Sequence, residues 1–341
     1  MGKHARDTRN TKRSPFLAMA SASVLAVTLF MGVVAPLRAQ STSSQAEEAR
    51  PQTPQWQIDA GGKMEFDVAS VKQDTTPPSP QTVNSNVPLG PQDMYSPTGG
   101  LLSATNVPLL QYMVFAYKLT PNQVQSVLSQ MPKWATTNRY DIQARVAGNP
   151  TKDQFRLMMQ ALLADRFKLA IHYEIKQQPI FALVLDKPGK LGPKIQPHPA
   201  DSPCSTAPPA LGPTPAALPT VAGGFPEVCG ALSGWPVSGR IRLGARNVPM
   251  EMIATSLTNP QVLGVDRPVI DKTGLAGKYD FIVEFTPQIS GPLPPGVNFQ
   301  PDESGPTFLE ALKEQLGLKL DSQTGPVPVI VIDHVEPPSE N

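Results

Sequence analysis

The chain has 341 residues, a formal net charge of +1 and 40 prolines, more than twice the usual share of proline. Residues 1–39 carry a net charge of +5, which leaves −4 for the rest. This mildly acidic body lacks the clustered Lys and Arg that displace counterions, which argues against nucleic-acid binding. The length fits two modules, and so much proline requires long irregular segments between them.

The N-terminal segment has the order of a secretory signal peptide. Five basic residues precede an apolar run from Phe16 to Leu37, and Ala39 offers a cleavage position. Pro36 interrupts the run and a polar stretch follows, so we expect cleavage and export to the periplasm or beyond the cell. The alternative is an uncleaved anchor in the inner membrane, because the 22 residues 16–37 could also cross a bilayer.

The body of the chain contains an internal repeat. Asn-Val-Pro followed by an apolar residue occurs at 106–109 and again at 247–250. Asn106 and Asn247 are predicted helix N-caps, because a short amide oxygen can accept from the first free N–H groups. Proline is tolerated in the first turn, and apolar residues then recur at helical spacing.

Three further landmarks follow in the same order in both copies. A strand carries Tyr-Asp near its start, at 139–144 and at 278–283. A second helix is predicted to open with a capping box, at Thr151 with Gln154 and at Thr307 with Glu310. Each copy ends in β-rich runs, at 167–173 and 180–185 in the first and at 318–320 and 327–332 in the second.

We therefore predict an α+β fold made of two tandem copies of a strand-helix-strand-helix-strand module. A further strand over Met64–Lys72 is predicted to pair with the first module. The predicted divisions are a signal peptide 1–39, a disordered linker 40–62, a first module 63–187, a Pro-rich insert 188–239 and a second module 240–337.

The two cysteines, Cys204 and Cys229, both lie in the Pro-rich insert. An oxidising compartment favours a disulfide between them, and closing a loop of this size stabilises the fold by about 3 kcal/mol in the chain-entropy account. A redox pair would instead want Cys-x-x-Cys spacing, which the sequence lacks.

Motifs that carry catalysis are missing from the sequence: it has no His-Glu-x-x-His, no Gly-x-Ser-x-Gly and no phosphate-binding glycine loop. His172 and Glu174 would face the same side of a strand and could share a metal, but a solvated outer face explains them better. Asp333 and His334 suggest a general base, but adjacent strand residues point to opposite faces. We therefore assign no catalytic, cofactor-binding or metal-binding residue and expect no cofactor.

Other conspicuous residues have structural explanations. The stretch Asp271–Gly277 could be an anion-binding loop, but a tight turn explains its glycines better. Tyr140 and Tyr279 recur in both copies, which indicates packing within the sheets. Core packing is also predicted for the Met158–Met159 pair, and an edge or anchoring position for two tryptophans, Trp134 and Trp235.

Several of these segments resemble a soil-associated family of exported bacterial proteins of unknown function, numerous in acidobacterial genomes. The resemblance covers residues 64–336 and is carried by 65–72, 106–109, 140–142, 162–169, 266–271, 273–275 and 277–281. It implies no established activity, but some relatives are joined to, or associated with, membrane metallopeptidases of the beta-lactam-sensor type. The order of elements is also similar to the short N-terminal module of secretins and TonB-dependent receptors, which mediates protein contacts in the periplasm.

Taken together, these features favour an exported envelope protein that acts as a non-catalytic binding or protein-interaction module. Its partner would be an unknown envelope protein or a small ligand, and it would touch the membrane only through an uncleaved N-terminal segment. Exposed sheet edges offer one route to binding. Two alternatives are a hydrolase with its site between the modules and a sensor that partners a membrane metallopeptidase.

Overall fold

The computed structural model describes residues 53–79, 81–206, 220–288 and 299–338. Within these residues the chain forms seven α-helices and eleven β-strands in three sheets, which confirms the predicted mixture of helix and strand. The helices are α1 (Gln55–Asp59), α2 (Leu109–Tyr117), α3 (Pro121–Gln130), α4 (Lys133–Thr137), α5 (Lys152–Arg166), α6 (Met250–Ser256) and α7 (Phe308–Leu316). The strands are β1 (Val68–Asp74), β2 (Asn84–Ser85), β3 (Leu101–Pro108), β4 (Arg139–Arg145), β5 (Ala170–Leu185), β6 (Ile195–Pro197), β7 (Leu232–Val237), β8 (Arg240–Pro249), β9 (Val269–Asp271), β10 (Lys278–Phe285) and β11 (Leu318–His334). The predicted signal peptide, residues 1–39, lies outside the described residues.

Two four-stranded antiparallel sheets each support one hydrophobic core. The first sheet has the order β1-β4-β3-β2, and the second has the order β6-β10-β8-β7. Helices α2 and α5 pack on the first sheet, and α6 and α7 pack on the second, because each helix buries one apolar face against the strands. As predicted, the strand ahead of the first copy pairs with its sheet, through β1 and β4.

A long two-stranded ribbon connects the two cores. Strands β5 and β11 pair antiparallel from Leu185 opposite Leu318 to Ala170 opposite His334. Leu183 and Leu318 are buried in the second core, whereas Ile330, near the far end of β11, is buried in the first. Each pair of β-rich runs expected from the sequence is therefore one continuous strand. We call the sheet β1-β4-β3-β2 with its helices the first half and the sheet β6-β10-β8-β7 with its helices the second half. The last strand of the chain, β11, completes the core of the first half.

The two repeated asparagines are not helix N-caps, which corrects the prediction. Asn106 and Asn247 lie inside β3 and β8 with φ of 58° and 55°, at points where the strand register shifts. Asn is one of the few residues that adopts this left-handed conformation readily, and the extra residue makes a β-bulge. Pro108 and Pro249 occupy the N-cap positions instead.

The capping boxes predicted for the second helix of each copy are confirmed. The Thr151 hydroxyl accepts from the Gln154 N–H at 3.2 Å, and the Gln154 side chain accepts from the Thr151 N–H at 2.9 Å. Thr307 and Glu310 make the same reciprocal pair at the start of α7. These contacts satisfy backbone donors that the helix itself leaves unpaired.

The side chain of Gln130, at the end of α3, protects the open edge of β11. Its amide N–H donates to the Ile330 carbonyl at 2.9 Å, and its amide oxygen accepts from the Ile332 N–H at 2.9 Å. The amide thus takes the place of a neighbouring strand's backbone, which blocks pairing with another chain at this point.

The Pro-rich insert contributes to the second half. It supplies β6 and β7, the two edge strands of the second sheet, and it contains a disulfide between Cys204 and Cys229, whose Cα atoms are 5.7 Å apart. The predicted disulfide is therefore present, and it indicates a compartment outside the reducing cytoplasm. None of the helices in the described part of the chain combines the length and apolar character needed to span a bilayer.

Because the ribbon reaches both cores, shortening a buried side chain near the end of β11 should destabilise the first core. Replacing Ile330, which is 1 % exposed, by alanine should lower the free energy of unfolding by about 2–5 kcal/mol, because it leaves a cavity. Ile175→Ala is the matched control, since Ile175 is 40 % exposed on the same ribbon and should cost less than about 1 kcal/mol. Urea unfolding of the two variants measures this difference, and equal losses would contradict it.

Candidate functional site

A cleft of about 1030 Å³ lies where elements of the two halves meet. One wall comes from α1, the end of α2 and the start of α3, and the opposite wall comes from α6. The floor is the face of the ribbon, where Tyr173 and Ile175 lie beside Pro328. Because aromatic, proline and aliphatic side chains dominate this lining, the cleft has the mostly apolar character of ligand-binding sites.

The first wall is positioned by the end of α2. Lys118 takes the left-handed conformation that ends this helix, with φ of 51°. Its ammonium group lies 4.9 Å from the centre of the Trp56 ring, a cation–π contact that holds the short helix α1 against the cleft.

A group of charged side chains around the buried Arg156 supports this wall from below. The Arg156 side chain is fully buried on α5 and pairs with Asp153 and, at 3.1 Å, with Asp93. Lys118 contacts the same two carboxylates, at 2.9 and 3.2 Å. The Arg156 guanidinium also donates to the carbonyl oxygens of Gly90, Pro91 and Gln92 at 3.3, 2.9 and 2.7 Å. These bonds fix the loop 90–93, which carries part of the cleft lining.

Lys152 adds a third cation to this group. Its ammonium group donates to the Gln92 carbonyl at 2.6 Å, and the residue is only 5 % exposed. Burial, followed by repulsion from Arg156, lowers the pKa of Lys152 to about 7. For Asp93, burial alone would raise the pKa, but Lys118 and Arg156 outweigh it and hold the pKa below its ordinary value. Asp93 is therefore charged at neutral pH, whereas Lys152 is held near its titration point.

Two tyrosines of the cleft are neutral phenols. Burial raises the pKa of Tyr173 to about 12 and raises the pKa of Tyr117 as well. The hydroxyl groups of Thr255 and Ser256 donate to backbone carbonyls within α6, at 2.9 and 2.7 Å. None of these four hydroxyl groups is paired with a base from the described part of the chain, and they contribute to the shape and polarity of the cleft.

Sequence reasoning missed the buried charges. A signal was present, because Lys152 and Arg156 are four residues apart and continue the face of α5 that carries Met159. The sequence does not say which carboxylates neutralise these cations. Asp93 is 63 residues before Arg156 in the sequence, and only folding brings the two side chains together.

The histidines singled out from the sequence lie away from the cleft lining. His172 contacts Asp333 through Nδ1 at 2.8 Å and Glu174 through Nε2 at 3.3 Å, on an exposed face of the ribbon. The hydrogen bond with Asp333, followed by that with Glu174, raises the pKa of His172. His334 lies beyond a register shift in β11, opposite Ala170, and contacts Glu336 at 2.8 Å. Among the described residues no group of three or more His, Cys, Asp or Glu side chains is arranged to hold a metal ion.

The Tyr-Asp pairs of the two copies serve the bulges and the cores. Tyr140 and Tyr279 are buried, as predicted. The Asp141 carboxylate accepts from the Asn106 N–H at 2.8 Å, and Asp280 accepts from the Asn247 N–H at 2.9 Å. Asp280 also contacts Nδ1 of His198 at 2.6 Å, a buried pair that the sequence did not suggest. The recurrence of Asn and Asp thus reflects two matching bulges.

The remaining sequence predictions concern turns and packing. The Asp271 carboxylate accepts from the Thr273 N–H and hydroxyl at 2.9 and 2.7 Å, which supports the turn interpretation of this loop. Met158 and Met159 are buried, as expected. Trp235 is 6 % exposed, and Trp134 packs against the first core. None of these residues lines the cleft.

Comparison with known protein families shows a match over most of the described chain. Residues 110–335 match the family described as "Protein of unknown function (DUF3738)". The chain belongs to this family. The DUF3738 match includes the ribbon, the α6 wall and the Lys152–Arg156 segment, and it begins after β3. No curated protein and no solved structure shows a significant match to the chain.

The depressed pKa of Lys152 predicts a pH-dependent stability. The unfolded chain holds this proton more tightly than the folded chain, so the buried ammonium destabilises the fold below about pH 7. The free energy of unfolding should rise between about pH 7 and pH 10. Lys152 contributes a slope of at most about 1.4 kcal/mol per pH unit to this rise.

Urea unfolding across this pH range, with wild type, Lys152→Met and Lys133→Met, measures the effect. The slope should be smaller in Lys152→Met, whereas Lys133→Met should keep the wild-type slope because Lys133 is exposed. An unchanged slope in Lys152→Met would show that the group titrates normally in the folded protein.

Proposed function

We propose that the chain is an exported binding protein that holds its ligand or partner in the cleft between the two halves and catalyses no reaction. The observation that carries this proposal is the lining: a large, mostly apolar cleft whose wall is held by charged side chains that pair with one another around the buried Arg156. Rigid apolar surfaces with few polar groups are suited to binding, because little conformational entropy is lost when a ligand arrives.

The alternative of a hydrolase with a site between the modules would use the same cleft. It would require a nucleophile within hydrogen-bond reach of a base. Among the described residues that line the cleft, the hydroxyl groups of Thr120, Thr255 and Ser256 are engaged with their own helices. The arrangement therefore favours binding over hydrolysis.

Export and duplication complete the proposal. The order of residues in 1–39 supports a signal peptide, and the disulfide is consistent with delivery to an oxidising compartment. The equal strand orders of the first two sheets, the two Asn bulges and the two capping boxes support an origin from two copies of one module. The partner we propose is an envelope protein or a small ligand, in line with the resemblance to exported soil-associated proteins.

Site-specific photo-cross-linking in the native envelope tests whether the cleft is the binding site. A photoreactive benzoylphenylalanine at position 255 faces the cleft, and one at position 309 replaces a leucine that is 52 % exposed on α7 and outside the lining. We expect a defined adduct from position 255 and none from position 309, because only the first lies where the ligand binds.

A second substitution, Met252→Glu, places a charge in the apolar lining and should abolish the adduct at position 255. Adducts of equal yield from both positions would contradict a specific site. Turnover of model ester or peptide substrates by the purified protein, without any adduct from position 255, would favour the hydrolase.

A further inference from the structure

We infer that the cleft binds an extended, proline-rich peptide that carries a basic residue. This inference rests on the proposed binding function and specifies the chemical class of the ligand. Three independent properties of the lining support it: its rigid apolar surfaces, its hydrogen-bonding groups and its charge.

Proline and aromatic rings supply much of the apolar surface. Trp56, Tyr117 and Tyr173 line the cleft from the first wall and the floor. Five prolines from separate parts of the chain join them: Pro54, Pro91, Pro121, Pro249 and Pro328. Polyproline II peptides dock into grooves lined by aromatic rings, since both partners are stiff before they meet and lose little entropy on binding.

The hydrogen-bonding groups of the cleft suit the same ligand. The floor presents a face of the ribbon, with Tyr173 paired to Ile330 and Ile175 paired to Pro328, so it offers no strand edge for an added β-strand. The indole N–H of Trp56 meets no acceptor in the part of the chain that the structure describes. A polyproline II backbone has no internal hydrogen bonds and exposes its carbonyl groups, which can accept from such a donor.

The charge of the cleft selects a basic residue. Lys118, the cation of the lining, is already neutralised by Asp93 and Asp153. On the opposite wall Glu251 is exposed, and it forms no ion pair with any described residue. An arginine or lysine of the ligand would place its charge beside Glu251, and such a contact contributes to orientation and to salt dependence.

Fluorescence anisotropy with the full chain and labelled nonapeptides tests this inference. The probe is Arg-Pro-Pro-Ala-Pro-Pro-Ala-Pro-Pro, and its comparison peptides have Ala or Glu in place of Arg, or Gly and Ser in place of every Pro. We expect saturable binding of the probe, weaker binding of the Ala peptide, and still weaker binding of the Glu and Gly/Ser peptides.

Variants of the cleft localise the binding. Met252→Glu should abolish it, and Trp56→Phe, which removes the indole donor, should weaken it. Glu251→Gln should weaken the Arg probe about fivefold, the effect of one exposed ion pair, and leave the Ala peptide unchanged. Leu309→Ser is the control outside the cleft and should bind as wild type does, and matching circular dichroism spectra establish that each variant is folded.

Three outcomes would overturn the inference. They are equal binding of the probe and the Gly/Ser peptide, equal binding by wild type and Met252→Glu, and no binding of the probe at all. Self-association that Met252→Glu removes, without probe binding, would instead identify a second copy of the chain as the occupant. A position-255 photo-adduct that persists in any of these cases would leave the binding function standing and reject only the peptide as its ligand.

Discussion

The antiparallel pairing of β5 with β11 runs through both hydrophobic cores, and the arrangement of the two halves depends on it. Leu183 and Leu318 are buried at one end of the ribbon and Ile330 at the other. Strand pairing between segments so far apart carries a loop-closure entropy cost, which burial of apolar side chains in both cores offsets. The same ribbon forms the floor of the cleft, so the site exists only when both halves are folded.

The buried charges beneath the cleft serve geometry more than stability. Removing the Arg156 guanidinium from water costs desolvation energy, which its ion pairs with Asp93 and Asp153 and its hydrogen bonds must offset. What they provide is a defined position for the loop 90–93, whose three carbonyls accept from Arg156. Arginine suits this role because its planar group donates in several directions at once. These contacts hold one wall of the cleft in a single position.

The repeated Asn and Asp residues show how a sequence landmark can be right while its interpretation is wrong. Asn-Val-Pro suggested a helix N-cap, because Asn is common there and proline follows. In the fold, Asn106 and Asn247 instead occupy left-handed positions in β-bulges, and Asp141 and Asp280 accept from their N–H groups. Both roles exploit a short polar side chain, so the residue type alone does not separate them.

The sequence by itself determined the local features: the capping boxes at Thr151 and Thr307, the helical faces, the disulfide partners and the mixed class of the fold. The capping boxes and helical faces depend on residues only a few positions apart in the sequence. The disulfide could be predicted because two cysteines can pair in only one way. Only the tertiary structure decided that β5 and β11 continue through Pro179 and Pro326, that Asp93 neutralises Arg156, and that α6 faces Tyr173 across a cleft. Each of these three features joins residues that are distant in the chain. Hydrophobic periodicity in the sequence predicts which face of an element is buried, but it does not predict which other element covers that face.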